Sequence, residues 1–548
     1  MSVEMPDPGE LQDVEKQERG HVENATPGSE DWGLLVERAM QATAAEHSIS
    51  VRDAIKAYYK AIFWSVMVSM VIVMEGYDTA LINNFYGYAS FQKKYGEYFE
   101  GIGYQVPGRY QAALGSGGQA INSLGIFLNG YLLQKFGYRK VLICSLTAVI
   151  GFVFIVFFAP NIQVLLVGEY LLGIEFGIFA TLGPAYASEV CPLALRGYLF
   201  NNIGAYWVIG QLIAAGVVDG LENVTSEWSY RIPFAVQWAW PLPLICLLLF
   251  APESPWYLAR NGRLDEAEHS VKRLSSKSKA DDAKLTVALM VHTDNIEKRV
   301  QENTSYLQCF KGTELRRTEI ACVVFFSQAF NGVWLTSPPV YFFEQAGLAA
   351  SSAYKVNVGS SSLELAGVIV SWIALTYVGR RRIYLAGMGT LMIFNLLIGF
   401  LSLAPASNHS ALVAVEAITL IWVFVYGLTL CSIIFTIVSE ISSSRVRAKS
   451  ICLARITYNI GAILAGILEP YMLNPSEWNW KGKAGFFWGG WTAVLFCWAY
   501  FRLPESQGRT YAELDMLFEK RISARKFKHT EVDVFADEAE VLKELSPN

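Results

Sequence analysis

The chain has 548 residues, 53% of them hydrophobic, 14% aromatic and only 17% charged, against about 25% charged in a typical soluble domain. That composition excludes an ordinary soluble enzyme and points to a chain that crosses a lipid bilayer many times. The formal net charge of −5 comes mainly from the tails, and no nucleic-acid partner is expected.

In chain order, the first segment is polar and acidic (MSVEMPDPGELQDVEKQERG) and lacks the apolar core of a cleavable signal peptide, so residues 1–55 are expected to stay in the cytosol as a tail. Six apolar runs follow, near 60–82, 111–133, 141–159, 163–186, 203–221 and 234–251, each close to the twenty residues that span a bilayer. They predict an N-terminal bundle over 56–252. A hydrophilic insert over 253–317 comes next. Its stretch GRLDEAEHSVKRL has helical periodicity with charged outer positions and reads as a helical linker. Six more runs, near 318–343, 356–378, 383–404, 412–438, 451–471 and 484–503, predict a second bundle over 318–505, and residues 506–548 form a mixed-charge tail.

Orientation follows from Lys and Arg in the short loops. Lys135, Arg139 and Lys140, then Arg380, Arg381 and Arg382, then Arg445, Arg447 and Lys449 make alternate turns basic, whereas the turns at Pro160-Asn161 and 405–410 carry none. Both termini and the insert are therefore expected inside. The sequons at Asn223 and Asn408 fall outside and are candidate glycosylation sites; those at Asn24 and Asn303 fall inside and should be inert. The eight cysteines show no paired spacing, so neither a disulfide framework nor a metal site is expected, and no cofactor.

Three charged motifs occur twice. Ser188-Glu189 precedes Arg196 as Ser439-Glu440 precedes Arg447, with seven positions from Glu to Arg in both copies (196 − 189 and 447 − 440). Gly137-Tyr138-Arg139-Lys140 is echoed by Gly379-Arg380-Arg381-Arg382, and Pro252-Glu253-Ser254 by Pro504-Glu505-Ser506. Two copies of one membrane unit run in the same direction, the build of a rocking two-bundle transporter. Ion pairs among Arg139, Glu189, Arg196, Arg380, Glu440 and Arg447 at the cytosolic helix ends would gate alternating access; the alternative is that they only anchor helix ends.

Acidic side chains inside apolar runs are expensive and usually functional. Glu75 and Asp78 are three apart and share a helix face, and are candidates for carrying a proton. Arg455 is the candidate charge partner, and Glu169, Glu175 and Glu364 are possible members of the network or interhelical acids with a structural role. Amides and aromatics at matching depth, namely Gln211, Gln328, Asn331, Trp334, Phe435, Tyr458 and Asn459, have the chemistry for hydroxyl groups and sugar-ring faces. The alternative for each amide is a hydrogen bond to a neighbouring helix.

The segments FGYRK at 136–140, YASEVCPLALRG at 186–197, PESPWYLARNGR at 252–263, VGRRR at 378–382 and LPESQGRTYAELD at 503–515 together resemble the sugar-porter family of the major facilitator superfamily. MEGYDTALI at 74–82, GPAYASEVCPLALRGYLFNN at 183–202, WVIGQLIAAGVV at 207–218, YFFEQAGL at 341–348 and RAKSICLARITYNIGAIL at 447–464 are similar to the fungal α-glucoside (maltose-type) permeases in particular. The resemblance implies an all-α fold of twelve transmembrane helices in two six-helix bundles. It further implies proton-coupled import of a sugar such as maltose by alternating access, by a monomer in the plasma membrane. It also places an acid at Asp78, a hydroxyl-binding glutamine at Gln211 and an aromatic at Phe435.

The chain departs from that pattern in places. Leu133-Gln134-Lys135 lacks the usual Asp of the first basic loop, Asn122 stands where the α-glucoside permeases have Glu, and Ala329 follows Gln328 where hexose carriers pair two glutamines. Ser337-Pro338-Pro339 should kink or unwind its helix, and Cys431-Ser432 replaces a common Gly-Pro. These changes keep open a permease or exporter for another polar small molecule or a secondary metabolite. A non-transporting sugar sensor fits less well, because the C-terminal tail is short. No nucleophile–base pair, phosphate loop or metal spacing marks an enzyme, and no catalytic residue is assigned.

Overall fold

The computed structural model describes residues 51–530 apart from 101–102, 277–281, 303–305, 337–338, 347–349, 406–407, 444–445, 508, 510 and 529. The expectations for residues 1–50 and 531–548 of the two tails, for Asn24 and Asn303, and for Ser337-Pro338 lie outside the described residues. So do those for the side chains of Arg196 and Arg447.

The N-terminal bundle comprises α1 (Tyr59–Phe85), α2 (108–136), α3 (Tyr138–Phe157), α4 (Ile162–Val190), α5 (Leu193–Leu221) and α6 (Trp228–Leu248). The insert forms α7 (Pro255–Arg260), α8 (Leu264–Leu274) and α9 (Ala283–Glu302). The second bundle comprises α10 (Gly312–Thr336), α11 (Ala350–Tyr377), α12 (Arg380–Leu401), α13 (His409–Ile441), α14 (Arg447–Leu473) and α15 (Ala484–Arg502), followed by a short α16 (Tyr511–Glu519). Among the described residues ten of these helices are long and apolar enough to cross a membrane. The two that fall short are α2, which carries Gln119, Asn122 and Asn129, and α15, rich in Trp and Gly; both keep their place in the sixfold pattern.

The two bundles share an internal plan. In the first, α1 packs on α5 and α2 on α4; in the second, α10 packs on α14 and α11 on α13. Small residues let these backbones touch where lipid offers no hydrophobic drive to pair helices. A Cβ on Gly76 would lie 2.1 Å from the Trp207 carbonyl oxygen, and one on Gly210 2.1 Å from that of Val73. In the second bundle Gly367 and Gly427 make the same kind of approach to the Phe424 and Glu364 carbonyls. The bundles then meet each other through α5 against α11 and α2 against α14.

Local chemistry sets the helix ends and breaks. Asn161 and Asn408 accept a backbone N–H with their side chains, capping α4 and α13. α10 is interrupted at Phe330–Gly332, where Gly332 has φ +96, and resumes before the proline pair. Single π-turns sit at Ala113–Gly117 in α2 and at Gly427–Cys431 in α13, a feature frequent at functional sites. The second absorbs the missing Gly-Pro: Ser432 Oγ donates to the Gly427 carbonyl at 3.3 Å and accepts from Ser371 at 2.8 Å.

The insert is helical, as its periodicity predicts. Leu258, Ala267, Val271, Val287 and Met290 form its own small core, and Ser276 N donates to the Ala57 carbonyl at 2.8 Å, docking it on the first bundle. A two-stranded hairpin, Glu97–Phe99 with Gly103–Gln105, fills the connection between α1 and α2; it has no counterpart in the sequence reading.

Candidate functional site

The three repeated motifs converge into one cluster in each bundle, at the end that carries the insert. In the first bundle Glu253 accepts from the backbone N–H of Tyr138 at 2.9 Å and of Arg139 at 3.2 Å, capping α3. Burial pushes its carboxyl above the ordinary range, against those N–H bonds, which pull the other way. Ser254 donates to Glu189, and Arg260 pairs with Glu189 at 2.9 Å. The second bundle repeats this: Glu505 accepts from Arg381 N at 3.5 Å, Ser506 donates to Glu440 at 2.6 Å, and Arg380 pairs with Glu440 at 3.0 Å.

Arg380 and Glu440 are therefore joined as expected. Arg139 and Glu189 are not: the Arg139 guanidinium donates to the Leu249 carbonyl, and Glu189 takes Arg260 of the insert instead. The reason is reach, because Arg260 follows the Ser254 cap by less than two helical turns and so arrives beside the same carboxylate.

Deep in the first bundle, Asp78 is 4% exposed and accepts from Gln237 Nε2 at 2.6 Å. Glu169, 7% exposed, lies beside it, so two acids are buried together in the interior of the bundle. One turn earlier on α1, Glu75 accepts from Asn122 Nδ2 at 3.4 Å and feels the charge of Arg455 from α14. That guanidinium stacks over the Tyr458 ring at 4.6 Å. Glu175 is buried on α4 near Ser145 of α3, outside this cluster. Glu364 is buried in the second bundle beside Cys431 and Tyr426, whereas Asn122, which replaces the usual acid, donates to Glu75.

The seam between the bundles is polar at mid-depth. Asn459 Oδ1 accepts from Gln119 Nε2 at 3.2 Å and its amide donates to Ser123 at 2.6 Å, while Ser116 donates to the Ile463 carbonyl at 3.1 Å. Tyr458 and Phe435 both face Phe325, at 6.4 and 5.3 Å between ring centres. Gln328 is buried and reaches Tyr426. Gln211 is half-buried on α5, beside the Gly210 contact.

Asn331 sits at the break in α10, and its Nδ2 is buried without a hydrogen-bond partner. Its Oδ1 accepts from Val333 N at 2.9 Å and its carbonyl accepts from Asn395 and Thr492. It is fully buried, holding the break in α10 together, and its amide oxygen is committed to the backbone. Trp334, one turn on, lines a cleft with Tyr86, Gln111, Tyr341 and Glu469.

Beyond that cleft, at the end opposite the insert, the bundles are sealed. Asn357 donates to Asn84 Oδ1 at 3.0 Å, Asn474 donates to the Val106 carbonyl at 3.1 Å, and Tyr88 meets Tyr354 edge-on at 5.3 Å. The exposed Asn223 and the α13-capping Asn408 lie at this end. Sequence reasoning missed Gln237, Gln119 and Glu469. A lone amide carries no signal of its own, but Glu469 is an acid inside an apolar run and was open to the argument that found Asp78.

Two six-helix bundles of one plan, meeting along a polar seam at mid-depth, define the architecture of a secondary membrane transporter. Solved structures share it: the partially occluded inward-open xylose transporter XylE of E. coli (TM-score 0.65, 17% identity, covering 80% of this chain and 98% of that one). So does the proton:xylose symporter XylE bound to 6-bromo-6-deoxy-D-glucose (TM-score 0.67, 18% identity, 84% and 99%). The chain belongs to the Sugar (and other) transporter family, whose profile matches residues 64–518; it is a multi-pass membrane protein and not an enzyme. It is 37% identical to maltose permease MAL31 of Saccharomyces cerevisiae over 553 residues, 98% of this chain and 89% of the relative. It is 38% identical to the general alpha-glucoside permease of the same species over 503 residues, 91% and 81%.

Proposed function

We propose that this chain imports an α-glucoside such as maltose together with a proton, by alternating access, as a monomer in the plasma membrane with both termini cytosolic. The observation that carries the reading is the buried acid Asp78, held by Gln237 with the second buried acid Glu169 beside it in the interior of a membrane-spanning bundle. The similarity to a maltose permease, to a general alpha-glucoside permease and to a proton:xylose symporter supplies the substrate class and the coupling ion. The basic loops at the insert end set the orientation.

In this reading Asp78 and Glu169 load and release the proton, and Glu75 with Arg455 couples that event to the seam between the bundles. Gln211, Gln328, Asn331, Phe435, Tyr458 and Asn459 form the central sugar surface, with Gln119 as a further contact and Trp334 toward the outer end. Glu189, through Arg260 of the insert, and Glu440, within its own bundle, hold the cytosolic gates while the outer end is shut. In the outward-facing state they would exchange partners, with Arg139, Arg196 and Arg447 as candidates. Asn223 and Asn408 are the acceptors for glycosylation.

Asn122 on Glu75 and Cys431 beside Gly204 across the seam favour a second reading in which the fold and the coupling are kept but the cargo is another polar small molecule. Uptake of labelled maltose into transporter-null yeast, at acidic and neutral external pH and with an uncoupler, tests the first reading. Saturable uptake that the uncoupler abolishes is expected. Absence of uptake from a protein present at the plasma membrane would favour the second.

A further inference from the structure

The cleft between α1, α2, α10 and α14, at the end opposite the insert, stands apart from the central polar seam. Glu469 is 3% exposed; its Oε2 accepts from Trp488 Nε1 at 2.7 Å, while its Oε1 is buried without a hydrogen-bond partner. Trp334 Nε1, in the same cleft, is also buried without a partner. Leaving a buried polar group unpaired is unfavourable. An unpaired acceptor and an unpaired donor lining one cleft point to a ligand that supplies the opposite of each.

Glu469 is the one acid among the lining residues, which gives too few oxygens for a divalent cation. Around it stand the rings of Tyr86, Trp334 and Tyr341 and the amide of Gln111. Aromatic faces beside a carboxylate acceptor and an N–H donor match a sugar ring, whose hydroxyls donate and accept and whose C–H face is apolar.

The walls come from both bundles, and in this conformation the cleft has space for about two water molecules. It widens only when the bundles part at this end. Glu469 lies ten residues beyond Asn459 on α14 (469 − 459), about 15 Å along the helix, so one glucosyl ring does not reach both.

We propose that this cleft is an outward-facing sugar subsite, in which Glu469 accepts from the hydroxyls of a glucosyl ring stacked on Trp334 before the sugar reaches the central seam. The inference rests on the sugar-uptake reading above. It predicts a sided effect, because the subsite exists only while the outer end is open. Glu469→Ala should raise the half-saturation concentration for external maltose at least fivefold and leave that for efflux from preloaded vesicles unchanged. Trp334→Leu should act in the same direction.

Surface-labelled protein is quantified for each variant, and Glu469→Gln serves as the conservative control, expected to fall between wild type and Glu469→Ala. Equal changes from both sides, or no change from outside, would overturn the subsite while leaving sugar transport standing. So would a variant whose external half-saturation is intact but whose pH dependence is flattened, since Glu469 would then be a proton site. A wild-type chain that moves no α-glucoside in either direction would overturn the reading above and the subsite with it.

Discussion

Asp78 accepts a hydrogen bond from an amide beside a second buried acid, Glu169, and in the proposed mechanism it carries the proton. Replacing it with Asn keeps the volume and removes that proton. Asp78→Asn is expected to abolish concentrative, uncoupler-sensitive uptake while sugar exchange across the membrane persists, and a counterflow assay separates the two. Asn459 ties the bundles through two side-chain bonds, each worth about 0.5–1.5 kcal/mol net. Asn459→Ala should therefore weaken the seam and lower sugar affinity together, read as a several-fold rise in half-saturation from both membrane sides. That two-sided effect contrasts with the one-sided effect expected at Glu469.

Among the elements, α3 depends on a cap supplied from far along the chain. The Glu253 carboxylate holds the first N–H groups of α3, and anions at a helix N-terminus are favourable. Glu253→Ala removes the cap at a cost of about 0.5–2 kcal/mol and should lower the unfolding temperature of the detergent-solubilised protein. The α1–α5 pair depends on the absence of side chains: any Cβ at Gly210 meets the Val73 carbonyl oxygen at 2.1 Å. Gly210→Val forces the helices apart, an overpacking cost of about 1–3 kcal/mol. Its expected outcome is loss of the monodisperse peak in size-exclusion chromatography, with Gly216→Val, where a Cβ meets nothing, as the tolerated control.

At the scale of the whole molecule the chain is captured with one end shut. Asn84 with Asn357 and Asn474 with Val106 join the bundles at the end opposite the insert, whereas Glu189 and Glu440 keep partners within the insert or their own bundle. A short thiol-reactive cross-linker across Asn84→Cys and Asn357→Cys should hold that end closed and stop uptake. A cleavable linker should restore uptake on reduction, and either single-cysteine variant should be unaffected by the reagent.

Hydrophobic run length, loop charge and the duplicated motifs were enough to read the all-α plan, the twofold repeat and the family, because bilayer thickness and backbone hydrogen bonding leave few alternatives. Asp78, Glu75 and Arg455 were also legible, since a charge inside an apolar run is conspicuous wherever it points. Partner choice was not. That Glu189 takes Arg260, that Asn395 and Thr492 meet the Asn331 carbonyl, and that Gln237 meets Asp78 are facts of distance between segments far apart in the chain. Periodicity places a residue at a depth and on a face, but which neighbour arrives at bonding distance depends on how two backbones pack. That packing, at Gly76 against Trp207 and along the seam between the bundles, is also what leaves Glu469 and Trp334 in one cleft.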